Sequence, residues 1–153
     1  TRFMRCAVEK AIVKLCCDVL TDSDFAYLQE NLQLQESCIS SRKYFYLLSL
    51  DDKFHEYMFK ACKKKKIYGL IKSAMAQFDR VRILNFVEMD MEISVNEHKK
   101  IFHAMKNRDK ELAERLMEEH LTRVIFDMSY LKEKHPEYFK DDSANTSSIA
   151  QIF

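Results

Sequence analysis

Apolar residues recur along this chain at a spacing near 3.6 almost throughout, the period of helices that turn one face to a core. Capping residues divide the pattern into six helical segments. The first is expected from about Arg2 to Leu20, with Met4, Val8, Ala11, Leu15 and Val19 on its inner face. Thr21, followed three residues later by Asp24, has the form of an N-cap for the second, whose stripe is Phe25, Leu28, Leu32 and Ile39. A turn near Ser40 and Ser41 leads to a third segment ending about Cys62. Beyond the basic run Lys63 to Lys66, Ile67, Leu70, Ile71, Ala74, Phe78 and Val81 mark the fourth. Ser94 with Glu97 reads as a capping box that starts the fifth, which stops near Asn107. Asp109 caps the sixth, which runs to about Lys134, before Pro136.

Composition narrows the class. One Gly and one Pro in 153 residues leave almost none of the turn chemistry that hairpins need, so the expectation is an all-α, antiparallel bundle of about six helices. Residues 1–139 are read as a single domain. From Lys140 the chain becomes rich in Asp, Ser, Asn and Thr, so 140–153 is expected to form a polar tail. A formal charge of +1 gives no broad positive field, and DNA binding is not expected of this domain itself. The longest apolar stretch, Tyr44 to Leu50, is far short of the ~20 residues that span a bilayer, and no charged-then-apolar leader opens the chain. A cytoplasmic protein with no membrane partner is expected. Five cysteines without CxxC spacing read as small buried hydrophobes, not as a disulfide framework. The four-lysine run reads as a solvated connection.

The chemistry lies where polar residues interrupt the stripes. On the third helix the inner face is expected to hold Tyr44, Leu47, Leu48, Met58 and Cys62, and at ~100° per residue Asp51 and His55 join it while Asp52 points away. On the fifth, His98 sits amid Val95, Ile101, Phe102 and Met105, with His103 on the opposite side. On the sixth, His120 lies among Leu112, Ala113, Leu116, Leu121, Val124 and Met128. His135 falls at the frayed end. An unpaired charge buried there would cost several kcal/mol, so something must compensate these groups. Three imidazoles and a carboxylate from three helices form a ligand set for a divalent transition metal, zinc first, with nickel, manganese or iron also compatible. A hydrogen-bonded polar network without metal is the simpler alternative.

These same residues carry a family resemblance. LDDKFHEYMFKAC at Leu50 to Cys62 and EHKKIFHAMKNRDKELAERLMEEHL at Glu97 to Leu121 closely resemble the C-terminal effector-binding domain (FCD domain) of FadR-type GntR transcriptional regulators. RCAVEKA, with Arg5 and Glu9, resembles that family's first domain helix, and TDSDFAYL its second. Matched position by position, the family's metal ligands fall on Asp51, His55, His98 and His120. The resemblance implies a metal at the base of an internal cavity, a small carboxylate-containing metabolite completing its coordination, and a homodimer. Operator DNA would be bound only through an N-terminal winged helix-turn-helix, which is expected to be absent from this chain. Arg82 and Arg5 are the cations expected to hold the far end of such a ligand, although Arg5 and Glu9 also form an ordinary i,i+4 pair. Two positions depart from the family: Lys63 and Lys64 replace a Gly-Asn pair, and Arg108 replaces a Gly. The left-handed residue that ordinarily ends each helix is missing there, with Asn107 available as a substitute in the second turn.

Two other classes fit a buried metal. One is a metal-dependent, hydrolase-like helical enzyme, and the other a dimerisation module with a structural metal. Against catalysis, no further acid or base stands at fixed spacing on the inward faces. The ExxH pair of helical di-iron enzymes is absent too, since Val95 and Met117 precede His98 and His120 by three.

Overall fold

The computed structural model describes residues 2–76, 91–134 and 136; for residues 124–132 it describes the helix but not the side chains. Among the described residues there are six helices and no strands: α1 Arg2–Val19, α2 Asp22–Ser41, α3 Tyr44–Ala61, α4 Lys65–Met75, α5 Met91–Lys106 and α6 Lys110–Lys134. Phe78, Val81, Arg82, His135 and the 140–153 tail lie outside the described residues.

Side-chain pairs fix the directions. Tyr57 donates to Asp24 and Asn31 to the carbonyl of Leu50, so α2 and α3 are antiparallel. Lys10 meets Glu118 and Lys14 meets Glu114, making α1 and α6 antiparallel. His98 opposite His120, across the short turn at 107–109, does the same for α5 and α6. By contrast α1 and α3 run parallel, since Glu9 meets His55 and Cys16 meets Cys62 with the same offset of 46 residues.

The expected cap at Thr21 forms as a full capping box with Asp24, and Asp109 accepts from the Leu112 amide. The box at Ser94 does not. Helix α5 is already running at Met91, Ser94 lies inside it, and the Glu97 carboxylate is engaged by His120 and Arg123.

Three turns end their helices with a left-handed residue, and none is glycine: Arg42, Lys63 and Arg108 have φ of 51°, 58° and 59°. Each closes a Schellman pair of backbone bonds, as from Lys63 to Lys60 and Lys64 to Phe59, or from Arg108 to Met105 and Asp109 to Ala104. Arg108, not Asn107, therefore takes the strained position. Its guanidinium bonds the carbonyls of Cys17 and Leu20, both at 2.8 Å, and lies over the Phe25 ring, so it caps the C-terminal end of α1.

The helix faces agree with the pattern in α2, α3 and α5 and differ in α1 and α4. Ile12, Val13, Cys16 and Cys17, with Leu20 just beyond the helix, form the buried side of α1, whereas Met4, Leu15 and Val19 are exposed and Val8 is half-buried. In α4 the buried residues are Tyr68, Ile71 and Met75, with Ile67 and Leu70 outward. Both helices are apolar on two sides, and a periodicity argument alone cannot choose between the sides.

Candidate metal centre

The core is interrupted by a polar layer at one level. On α2 Gln35 lies between Leu32 and Cys38, on α3 Asp51 between Leu50 and Phe54, and on α5 His98 between Val95 and Ile101. His120 follows Met117 on α6. To one side of this layer lies the large apolar cluster with Phe54, Met58, Phe102 and Met117, and to the other a small one of Cys38, Leu47, Leu50 and Val95. Into the layer α3 also projects His55 and α1 projects Glu9, the latter with no exposed surface.

Asp51, His55, His98 and His120 are all buried and each offers a ligand atom within 4.8 Å of the others. Nε2 of His120 lies 3.2 Å from Nε2 of His98 and 3.3 Å from Nε2 of His55, and Asp51 Oδ1 lies 3.4 Å from Nε2 of His98. Four donors around a tetrahedral ion at 2.0–2.1 Å stand roughly 3.3 Å apart, so these spacings suit a first-row divalent ion. Of the histidines predicted to face outward, His103 is exposed and does not join, and His135 lies outside the described residues.

The other nitrogen of each ring decides its protonation. Nδ1 of His55 meets Glu9 Oε2 at 2.5 Å, and Nδ1 of His120 meets Glu97 Oε2 at 2.7 Å. Carboxylates only accept, so both nitrogens donate. Nδ1 of His98 meets Gln35 Oε1 at 2.9 Å; because the Gln35 amide nitrogen donates to Asn31, and Asn31 in turn to the Leu50 carbonyl, that oxygen is the acceptor. In their neutral forms all three rings therefore carry the proton on Nδ1, and the three Nε2 atoms that converge offer lone pairs. Outer-shell acceptors of this kind orient metal-binding imidazoles and raise their basicity.

Electrostatics favour the ligating forms. Burial, and next the neighbouring His120 ring, push the His98 imidazolium well below its ordinary value near 6.5. Burial lowers His120 too, partly offset by its bond to Glu97. The Glu97 carboxyl, which burial alone would raise, is held below its ordinary value by His120 and by Arg123, whose guanidinium grips both oxygens at 2.9 and 3.1 Å. Glu9 is likewise held far below, burial being outweighed by Arg5 and His55.

The predicted ligand set is therefore brought together as a unit. Arg5 stands next to it, its Nε 2.6 Å from Glu9 Oε1, while Arg82 lies outside the described residues. Asp52 faces away and pairs with Lys72 at 2.8 Å. Sequence reasoning missed the three acceptors. Gln35 was visible as a polar break in the α2 stripe, and Glu97 adjoins His98. Glu9 was hidden by the wrong choice of face on α1.

A helical bundle whose interior gathers three imidazoles and a carboxylate around one point defines the class. The chain belongs to the FCD domain family, which matches residues 2–123. It is similar to the HTH-type transcriptional repressor RspR of Escherichia coli strain K12, at 26% identity over 141 residues, 92% of this chain and 62% of that protein. The uncharacterized HTH-type transcriptional regulator YdfH of Shigella flexneri matches equally, 26% over 141 residues with the same shares of each chain. A Streptomyces ambofaciens protein, an uncharacterized HTH-type transcriptional regulator in an unstable DNA locus, is 27% identical over 144 residues, 94% of this chain and 60% of its own length. The chain thus spans about three-fifths of these relatives. Among the described residues no helix is long and apolar enough to cross a membrane.

Proposed function

We propose that this domain is the ligand sensor of a cytoplasmic GntR/FadR-type transcriptional regulator, with a regulatory and not a catalytic role. Asp51, His55, His98 and His120 hold a divalent ion, zinc foremost. A carboxylate of a small metabolite takes an open coordination position, with Arg5 and Arg82 proposed for its far end. The observation that carries this reading is the convergence of three Nε2 atoms, each ring bonded at Nδ1 to Glu9, Gln35 or Glu97. With neutral rings, a polar network without metal leaves those lone pairs facing one another, which is repulsive, and a cation satisfies all of them at once. Operator DNA is bound by a separate helix-turn-helix part of the regulator. A homodimer is proposed through the outward apolar side of α1, where Met4, Leu15 and Val19 are exposed. Effector binding regulates only as far as it favours one arrangement of that dimer over another.

The test is metal content after native purification, followed by zinc titration against a competing chelator. One ion per chain is expected, lost in His98→Ala and His120→Ala and retained in His103→Ala. Asp51→Ala should weaken binding more than Asp52→Ala. Equal loss in every variant would defeat the assignment. Small hydroxy acids or sugar acids should then raise the melting temperature of the metal-loaded domain without being consumed. Turnover abolished by His98→Ala would point to the enzyme, and unfolding on chelation with no response to any acid to a structural metal. Sedimentation equilibrium at high concentration should give a dimer.

A further inference from the structure

The parallel seam of α1 and α3 carries a second juxtaposition, at the same residue offset as Glu9 and His55 but seven residues further along both helices. There Cys16 Sγ lies 3.5 Å from Cys62 Sγ, the one thiol–thiol hydrogen-bonding contact among the described residues. The sulfurs also reach across to the opposing backbones, Cys16 to the Met58 carbonyl at 3.8 Å and Cys62 to that of Ile12 at 3.9 Å. Both helices are therefore already at close approach. Bringing the sulfurs to a bond of ~2.05 Å asks for a movement of roughly 1.5 Å, within the reach of side-chain rotation.

We propose that Cys16 and Cys62 are a redox-modification site: a two-electron oxidant of the peroxide class converts them to a reversible intramolecular disulfide. The two thiols differ in access, which sets their roles. Cys16 is fully buried, whereas Cys62 is half-buried at the C-terminal end of α3, beside the exposed turn at Lys63 and Lys64. Its hydrogen bond with Cys16, opposed by burial and aided by the Lys64 ammonium, favours the Cys62 thiolate, while Cys16 is pushed up by that same bond and by burial. The Cys62 thiolate attacks one peroxide oxygen; the O–O bond breaks, and the departing hydroxide takes up a proton to leave as water. Cys62 is now a sulfenic acid. The Cys16 sulfur attacks the Cys62 sulfur, the S–O bond breaks, and the hydroxide departs with the Cys16 proton as a second water. Two thiols and one peroxide become one disulfide and two waters, and an external dithiol reverses the step.

The experiment uses the whole reduced chain, freed of reductant, treated with hydrogen peroxide, alkylated and mapped by mass spectrometry. Three of the five thiols should remain alkylatable, with the Cys16 and Cys62 peptides joined at the loss of two hydrogens and separated again by dithiothreitol. Because Cys17 adjoins Cys16, Cys17→Ser should form the same link. In Cys62→Ala, Cys16 should remain alkylatable at every peroxide level. Oxidation should raise the melting temperature of the native chain and leave that of Cys16→Ala unchanged. Cys16 found fully alkylated while Cys62 has passed to sulfinic acid, or Cys62 found joined to a second chain, would overturn the proposal. The native map alone decides this even if either variant fails to fold.

Discussion

The apolar end of the bundle and the polar layer beside it are held together in different ways. Around Phe54, Met58, Phe102 and Met117 the contacts are non-directional, and close packing positions each group. In the layer the rings are placed by hydrogen bonds: Glu9, Gln35 and Glu97 each fix one, and Arg5, Asn31 and Arg123 fix those three in turn. The first arrangement supplies stability. The second spends it, since burying these dipoles and charges is at best an even exchange, and gains a preorganised cluster of lone pairs. Phe54 belongs to both, fully buried in the apolar cluster and stacked on His98 with ring centroids 4.6 Å apart.

Phe54→Ala is the sharpest way to separate the two regions. Removing a fully buried aromatic should lower unfolding free energy by roughly 3–5 kcal/mol, measured by urea denaturation in excess chelator. One ion per chain should still bind at low temperature, because the bonds from Glu9, Gln35 and Glu97 orient the rings without the Phe54 stacking contact. A loss of metal with stability intact would reverse the assignment of roles. Next in size, Gln35→Leu removes the acceptor behind His98 and leaves Asn31 short of a partner. Metal affinity should fall roughly 10–100-fold, read by chelator competition. Native affinity would mean that packing alone orients the ring.

Legibility followed the same division. The inward faces of α3 and α5 could be read because most of their apolar residues fall on one side, Phe45, Tyr46 and Ile93 being exposed exceptions, and His55 and His98 break that side. In α1, Met4, Leu15 and Val19 repeat as regularly as Ile12, Cys16 and Leu20, so the chosen phase placed the buried Glu9 outside. Gln35 stands on a correctly read stripe, but a carboxamide carries no metal-ligand signal of its own. The Ser94 box matched a four-residue pattern that carries no information about what lies upstream. The layer's ligands were thus visible from pattern, and their supports only from three-dimensional pairing.

A smaller effect separates the regions by pH. The folded state holds His98 and His120 below their ordinary value near 6.5, so below that pH the unfolded chain binds more protons than the folded one. Stability of the metal-free domain should be full above about pH 6.5 and fall as the solution is acidified. Glu9 and Glu97, held below 4.5, add their own loss only below that value. Between the two limits the slope therefore reports the histidines. His98→Phe should flatten it, and an unchanged slope would place the titration elsewhere. Zinc affinity should fall in the same direction, since protons compete for the same lone pairs.

The smallest effect concerns the glycine-free turns, and there the sign carries the information. A non-glycine residue in the left-handed region costs roughly 1–2 kcal/mol, partly returned by its lower entropy when unfolded. Lys63 is exposed, so Lys63→Gly should relieve that strain at little other expense and stabilise the domain by about 0.5–1 kcal/mol. Arg108→Gly relieves the same strain but also removes the guanidinium from the carbonyls of Cys17 and Leu20 and from the Phe25 ring. Charge-assisted bonds at a helix C-terminus are worth at least as much as the relief, so Arg108→Gly should be neutral or destabilising. Thermal denaturation of the two variants side by side should give shifts of opposite sign, or one positive and one near zero. Equal stabilisation would mean that α1 is held by its buried face alone and that Arg108 is a strained residue without a structural return.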